Sequence, residues 1–266
     1  MRSWNWSTRK GKHMRSIWAV VYREALLRAT SPLWLFFDMA VPLLYLAMFG
    51  VGFDRALTGG IAVGGNTLQY NHFFLAGVLA MTCFGNAINQ SYGFFLDRDN
   101  GIFYEFLTYP MTRAQFLWGK ILFQCLMSCV QCAVIVVGAM VFLSIPVQAT
   151  MLPLIFGGMM IGTAAWFFFL SSFAFLIRRN DMFNTILNVA YFVLMFMSSI
   201  FYPLDTMPDW LRVSSQFNPL TWHTDVLRLL TVGVGDLSHT LVEALAFGGF
   251  LVAAFFVAVK SLQKTV

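Results

Sequence analysis

Four cysteines, Cys83, Cys125, Cys129 and Cys132, are the first side chains to test for chemistry. Thiolates ligate zinc, and the last three would share one side of a helix. No His or carboxylate accompanies them, and all four fall in apolar runs. They read as small buried hydrophobes rather than a metal site or disulfide framework. His223 and His239, with Asp225 between them, fit no strong ligand spacing and read as ordinary interfacial polar residues. Gly11-Lys12 and Gly119-Lys120 touch on a phosphate-binding loop, which needs Gly-x-x-x-x-Gly-Lys-Ser/Thr. Both lack the other Gly, five residues upstream, and the hydroxyl. No catalytic, cofactor or metal residue is expected, and the chain is not expected to hydrolyse ATP. What remains is "LDRDNGIFYEFLTYPMTR", Leu96 to Arg113, with five charged residues in a chain where 11% are charged.

The elements that must position this stretch follow from composition. Hydrophobic residues make up 59% of 266, with 29 Phe, and only 11% are charged, against about 25% charged residues in ordinary soluble domains. A soluble fold of this size has too little interior for that apolar surface, so the bilayer is the solvent. A span needs about 20 apolar residues. Candidates lie at 33–53, 73–96, 116–143, 152–177, 183–203 and 239–259, leaving only connectors and a single all-α transmembrane domain over 1–266. The first span is too long for a cleavable signal peptide, and no small-residue cleavage site follows it. With six spans, fourteen of the seventeen Lys and Arg fall on one side, seven of them before the first span. The positive-inside rule then places both termini in the cytoplasm. The basic balance reads as topology and lipid contact, not nucleic-acid binding.

Residues 1–15 are expected to be disordered or loosely held by lipid headgroups. Residues 16–31 read as an interfacial helix, Arg23 and Arg28 facing phosphates, so that 1–32 forms a cytoplasmic tail and helix. The loop 54–72 is Gly-rich, 144–151 is a tight turn with Pro146, and 177–181 is another.

Polar side chains recur at helical spacing inside the spans. Asn86, Asn89 and Gln90 lie on one face of the second, Gln124, Ser128 and Gln131 on one face of the third, and Asn184, Asn188 and Tyr191 on one stripe of the fifth. Polar groups in hydrocarbon face protein or water. Bonding between helices and lining of a pathway both fit. Asp38 reads as a carboxylate near the inner interface, within reach of headgroups or an N-terminal Arg. Gly158-x-x-x-Gly162 is a small-residue packing motif.

The segment 204–238 reads as an external helical hairpin. Pro208 stands where a first helical turn starts, with Thr206 or Asp205 near its cap. Asn218 and Pro219 repeat the device as N-cap and first helical residue. The second helix sets Leu220, Leu227 and Leu230 against Asp225 and Arg228. Two short helices after a span suggest a hairpin dipping into the outer leaflet, tolerated only where protein or water surrounds it.

Six spans, a charged insert after the second, and "IFYPLDTMPDWLRVSSQFNPLTWHTDVLR" after the fifth together resemble the ABC-2 type permeases, membrane subunits of ABC exporters. "DNGIFYEFLTYPMTR" is similar to the family's cytoplasmic coupling segment, Glu105 and Pro110 falling where the family commonly has an acid and a Pro. The resemblance implies a coupling helix within 97–113. Phe103, Tyr104 and Phe106 would contact an ATPase groove, while Asp97, Arg98, Asp99 and Glu105 would orient it. It implies an outer gate involving Tyr202, Pro203, Pro208, Trp210, Asn218 and Pro219. It further implies two ATPase subunits carrying ATP and Mg, a second permease chain, most simply a homodimer, and residence in the cell (inner) membrane. Members resembling this chain export drugs, polysaccharides, lipid-linked glycans or oligosaccharide signals, so an amphipathic, lipid-like, drug or saccharide cargo is implied. An ion-gradient-driven secondary transporter and a polytopic membrane transferase are the alternatives. The first favours midplane charges and inverted repeats, and only Asp38 answers to that.

Overall fold

A computed structural model describes residues 6–57, 59–63 and 65–264. The chain is all-helical apart from one short hairpin. α1 (Trp6–Ala29) precedes α2 (Pro32–Tyr45), a π-helical segment (Leu46–Val51) and α3 (Gly52–Ala56), which continue one another. Strands β1 (Ile61–Val63) and β2 (Asn66–Leu68) pair antiparallel. Then come α4 (Tyr70–Asp99), α5 (Ile102–Thr108), α6 (Arg113–Phe142), α7 (Leu152–Leu176), α8 (Asn180–Phe196), α9 (Asp209–Gln216), α10 (Pro219–Val232) and α11 (Leu237–Lys264).

α4 is the hub. Its apolar stretch is 83% buried, against 11% for the segment beginning at α2 and 22% for α11. It packs on α6, α7, α8 and α10. Both ends of the described chain gather at one end of the bundle, called here the terminal end. There Lys120 at the start of α6 pairs with Glu24 of α1, and Arg113 donates to the Leu262 carbonyl of α11 at 3.2 Å.

Three features depart from the sequence expectation. Residues 6–15 belong to a helix rather than a loose tail, while residues 1–5 lie outside the described residues. Of the six expected spans, five correspond to helical segments long and apolar enough to cross a membrane. The stretch 183–203 forms α8, which stops at Phe196 after 17 residues. At 1.5 Å per residue that is about 25 Å, short of the roughly 30 Å hydrocarbon core. α8 nonetheless follows α4 antiparallel along its length. Phe183 stacks on Phe95 at 4.7 Å, Tyr191 meets Phe84 at 5.5 Å, and beyond the helix Phe201 stacks on Phe74 at 5.6 Å. The loop 54–72 is mostly ordered: α3 extends the first span, and the Asp54 carboxylate accepts from the Tyr70 amide at 3.0 Å, holding the start of α4.

The first span contains its own irregularity. Pro42 has no N–H to give the carbonyl four residues back, which frees the Asp38 oxygen inside an apolar segment. Gln131 of α6 supplies the missing donor at 3.3 Å. A proline inside a span is tolerated when a neighbouring helix satisfies the freed group.

Candidate functional site

At the terminal end, four charged side chains from three helices meet. Arg23 of α1 reaches Asp97 of α4 at 2.7 Å and Glu24 at 2.8 Å. Lys120 of α6 reaches the same two carboxylates at 2.6 and 3.1 Å. Lys120 is 2% exposed, so its ammonium is stabilised by these acids rather than by water. Burial opposes the Arg23 charge, but Asp97 and Glu24 more than offset it and hold its pKa above the ordinary value. Gln90 donates to Glu24 at 3.3 Å, and Arg28 pairs with Asp38. α1 can come this close because Gly119 has no side chain; a Cβ there would overlap Val20.

Beside this network the chain turns. Gly101 has φ +79°, a left-handed conformation that separates α4 from α5. Phe103 is buried against Phe94 and Phe116. Phe106 is half-buried on Phe116, with the Arg23 guanidinium 5.6 Å from its ring. Tyr104, Glu105, Tyr109 and Pro110 are exposed and form a ridge. Thr112 then opens α6 with a reciprocal cap: its hydroxyl accepts from the Gln115 amide, and the Gln115 side chain accepts from the Thr112 amide at 2.8 Å.

Midway along the bundle, Asn86 donates to Ser128 at 3.0 Å and to the Gln131 side-chain oxygen, and Ser128 meets Thr163 of α7 at 2.8 Å. Asn86, Asn89, Gln131, Asp38, Thr82 and Tyr191 line a cavity of about 240 Å³ between α2, α4, α6 and α8. Tyr45 also borders a second cavity, of about 560 Å³, walled by Phe49, Phe53, Phe192, Phe196 and Tyr202. The two cavities meet at Tyr45, the first mostly apolar with a few amide, hydroxyl and carboxyl groups, the second aromatic.

At the far end the hairpin folds into the bundle. The Asn218 side-chain oxygen caps α10 by accepting from the Leu220 amide at 3.0 Å. Its amide group donates to the Leu194 and Met197 carbonyls at 2.7 and 3.2 Å. Arg228 donates to the Ser199 carbonyl at 2.7 Å. These donors satisfy the carbonyls left open where α8 ends. His223 is 2% exposed, stacked on Phe247 of α11 at 4.9 Å, with its Nε2 3.2 Å from the Gly158 carbonyl. Phe247 lies ten residues into α11, about 15 Å along the axis, so α10 is sunk well below the start of α11.

Residues 15–231 match the ABC-2 type transporter family. The chain belongs to that family. It is 28% identical over 221 residues to the "Putative transport permease ycf38" of Cyanophora paradoxa, covering 82% of this chain and 74% of the other. It is 26% identical over 219 residues to the proteins of the same name from Porphyra purpurea and from Pyropia yezoensis, with the same coverages. Together with the apolar helices, this makes the chain a multi-pass membrane permease.

Several expected placements in this permease need correction. Asp97 and Arg98 do not point outward to a partner. Asp97 closes the ion network, and Arg98 donates to the Ala174 and Ile177 carbonyls at the end of α7. Phe103 anchors α5 from beneath, and only Tyr104 of the aromatic trio is exposed, beside exposed Asp99 and Glu105. The coupling helix expected within 97–113 is the shorter α5, Ile102–Thr108. Arg23 and Arg28 face carboxylates, not phosphates. Gln90, Gln124 and Ser128 do not border the groove cavities, whereas Asn86, Asn89, Gln131 and Tyr191 do. Asn184 and Asn188 bond to each other at 2.9 Å on the exposed face of α8. Pro208 takes the cap position of α9 instead of its first turn, and Trp210 is exposed. Tyr202 donates to the Phe196 carbonyl, and Pro203 starts a 3₁₀ turn, Leu204–Thr206. Arg228 and His223 are buried, so α10 has no solvated polar face. Gly162 serves α10 rather than another span: a Cβ there would fall within the His223 ring.

No sequence expectation joins Lys120 to Glu24. A Lys near the start of an apolar span, with an Asp near the end of the preceding one, is the signal that could have found half of the network.

Proposed function

We propose that this permease is the membrane subunit of an ATP-driven exporter, working as two copies with two copies of a separate ATPase that carries ATP and Mg. The groove between α2 and α8 carries this reading. α2 has no buried residue. α8 buries only Phe183, Leu187 and Met195, and leaves Asn184 and Asn188 exposed among Met182, Ile186 and Val189. Exposed amides are costly against lipid, and a second copy across this face would cover them and close the groove into a pathway. Apolar and aromatic walls carrying a few polar groups suit an amphipathic cargo: lipid-like, a drug, or a saccharide whose rings stack on aromatics.

α8 with the turn 197–203 makes the sixth crossing, completing the bilayer distance that the helix alone falls short of. The terminal end then faces the cytoplasm of a cell (inner) membrane, as the basic residues favour. The ridge Tyr104–Glu105–Tyr109–Pro110 docks on the ATPase, and the ion network behind it transmits the force. The hairpin of α9 and α10, with Tyr202, Pro203, Pro208, Trp210, Asn218 and Pro219, forms the gate at the far end.

The test is substrate-stimulated ATP hydrolysis by the complex purified from its host, with wild-type and Glu105→Arg permease. Wild type is expected to bring down an ATPase and stimulate it, and Glu105→Arg to lose stimulation. Absence of any ATPase in the wild-type preparation would sink the exporter reading. Equal stimulation by the variant would remove only the docking ridge.

A further inference from the structure

We propose that the cavity at the far end, between α10 and α11, binds a protonated primary amine through the carboxylates of Glu243 and Asp225. The proposal stands apart from the exporter reading and holds whether or not ATP drives this permease. The cavity, about 300 Å³, is lined by Ser199, Asp205, Asp225, Arg228, Thr240 and Glu243, among others.

Glu243 is the observation that asks for a ligand. It sits on the wall of the cavity, 5% exposed, and its Oε2 is buried with no hydrogen-bond partner. The His239 Nδ1 is 3.6 Å from its Oε1, too far for a hydrogen bond, and the Glu243 carboxyl group lies within hydrogen-bond reach of the Asp225 carboxyl. Across from it, Asp225 accepts from Ser199 at 2.8 Å and from Arg228. Two buried carboxylates in contact repel unless a donor joins them, so the missing group is a donor.

Charge selects the kind of donor. Asp205, Asp225, Asp236 and Glu243 all line the space. Of the two arginines there, Arg212 is paired with Asp209 at 2.6 Å, and Arg228 is shared by Asp225, the Ser199 carbonyl and the Phe73 ring, 3.9 Å away. The balance is negative, which favours a cation and disfavours phosphate or a free acid. Among the described residues no three His, Cys, Asp or Glu are grouped to hold a metal ion, and the space is large for one. An ammonium group has N–H donors for Glu243 Oε2, for Asp225 and for a hydroxyl such as Ser199 or Thr240. The amine can come free from the medium or on the ethanolamine headgroup of a lipid.

Calorimetric titration of the purified full-length permease in detergent tests this. The probes are ethanolamine, choline (the same charge without N–H donors), uncharged ethylene glycol, and short-chain phosphatidylethanolamine beside short-chain phosphatidylcholine. Ethanolamine is expected to bind about tenfold or more tightly than choline, and ethylene glycol not at all. Glu243→Gln, checked for an unchanged unfolding temperature without ligand, should weaken ethanolamine by about tenfold or more. Tighter binding of phosphatidylethanolamine than of ethanolamine identifies a lipid source, and equal binding a free one; either supports the site. If wild type treats ethanolamine, choline and ethylene glycol alike, the proposal is overturned without recourse to a variant. It is also overturned if a folded Glu243→Gln binds ethanolamine as wild type does.

Discussion

The two ends of this permease handle buried charge in opposite ways. At the terminal end, Arg23, Glu24, Asp97 and Lys120 form a closed set in which two cations face two acids, and no buried polar atom among the four lacks a partner. At the far end, Thr221, His223 and Arg228 on α10 and Glu243 on α11 each keep a buried polar atom without one. A satisfied network has one low-energy arrangement and moves as a block. Unsatisfied groups gain by rearranging or by binding something. Under the proposed function, the terminal end is the rigid lever and the far end the adjustable element.

The largest effect is expected where the closed set is opened. Lys120→Met leaves Glu24 and Asp97 buried with Arg23 as their only cation, and should destabilise the permease by about 3–5 kcal/mol. Thermal unfolding in detergent measures it. Adding Glu24→Gln to Lys120→Met should recover part of the loss, because one cation then faces one acid. Recovery of nothing would break the picture of a single network.

Next comes the contact between α7 and α10. Gly162→Ala places a methyl against the His223 ring and should cost about 1–3 kcal/mol. His223→Ala in the same chain should relieve the clash, so the double variant is expected to be less perturbed than the sum of the singles. Simple additivity would mean that α10 does not sit against Gly162.

Asn218→Ala removes the cap of α10 and two donors to the end of α8, and should cost about 1–2 kcal/mol. Hydrogen exchange of residues 218–224 should quicken while α1 and the start of α6 keep their protection. Equal quickening at both ends would erase the distinction between lever and adjustable element.

The smallest stability effect belongs to Glu105→Arg. Glu105 is exposed on α5, so stability should stay within about 0.5 kcal/mol of wild type. A loss of several kcal/mol would show that the ridge is part of the packed lever.

Local chemistry made much of this readable in advance. Asn218-Pro219 announces a cap and a first turn, and both are present, because these interactions span only a few residues. The apolar runs announced the long helices for the same reason. The end of α8 at Phe196 was not readable: its apolar run continues, and the helix stops where side chains from α9 and α10, distant in sequence, take over its carbonyls. The strands at 61–68 were hidden in a Gly-rich loop too short to show alternation.

For the candidate site the division is sharper. The amides of Asn86, Asn89 and Gln131 were visible as helical stripes, but a stripe does not say whether it faces a neighbour or a cavity. In the fold Asn86 and Gln131 do both.

By itself, the sequence determined that this chain lives in a bilayer and where most of its long apolar helices lie. Those follow from composition and from forces acting within a turn or two. Only the tertiary structure decided that Asp97 belongs to Arg23 and Lys120, that Gly162 makes room for His223, and that Glu243 faces a cavity beside Asp225. Each joins residues far apart in sequence, and a buried charge or a missing Cβ has meaning only once its neighbours are in place.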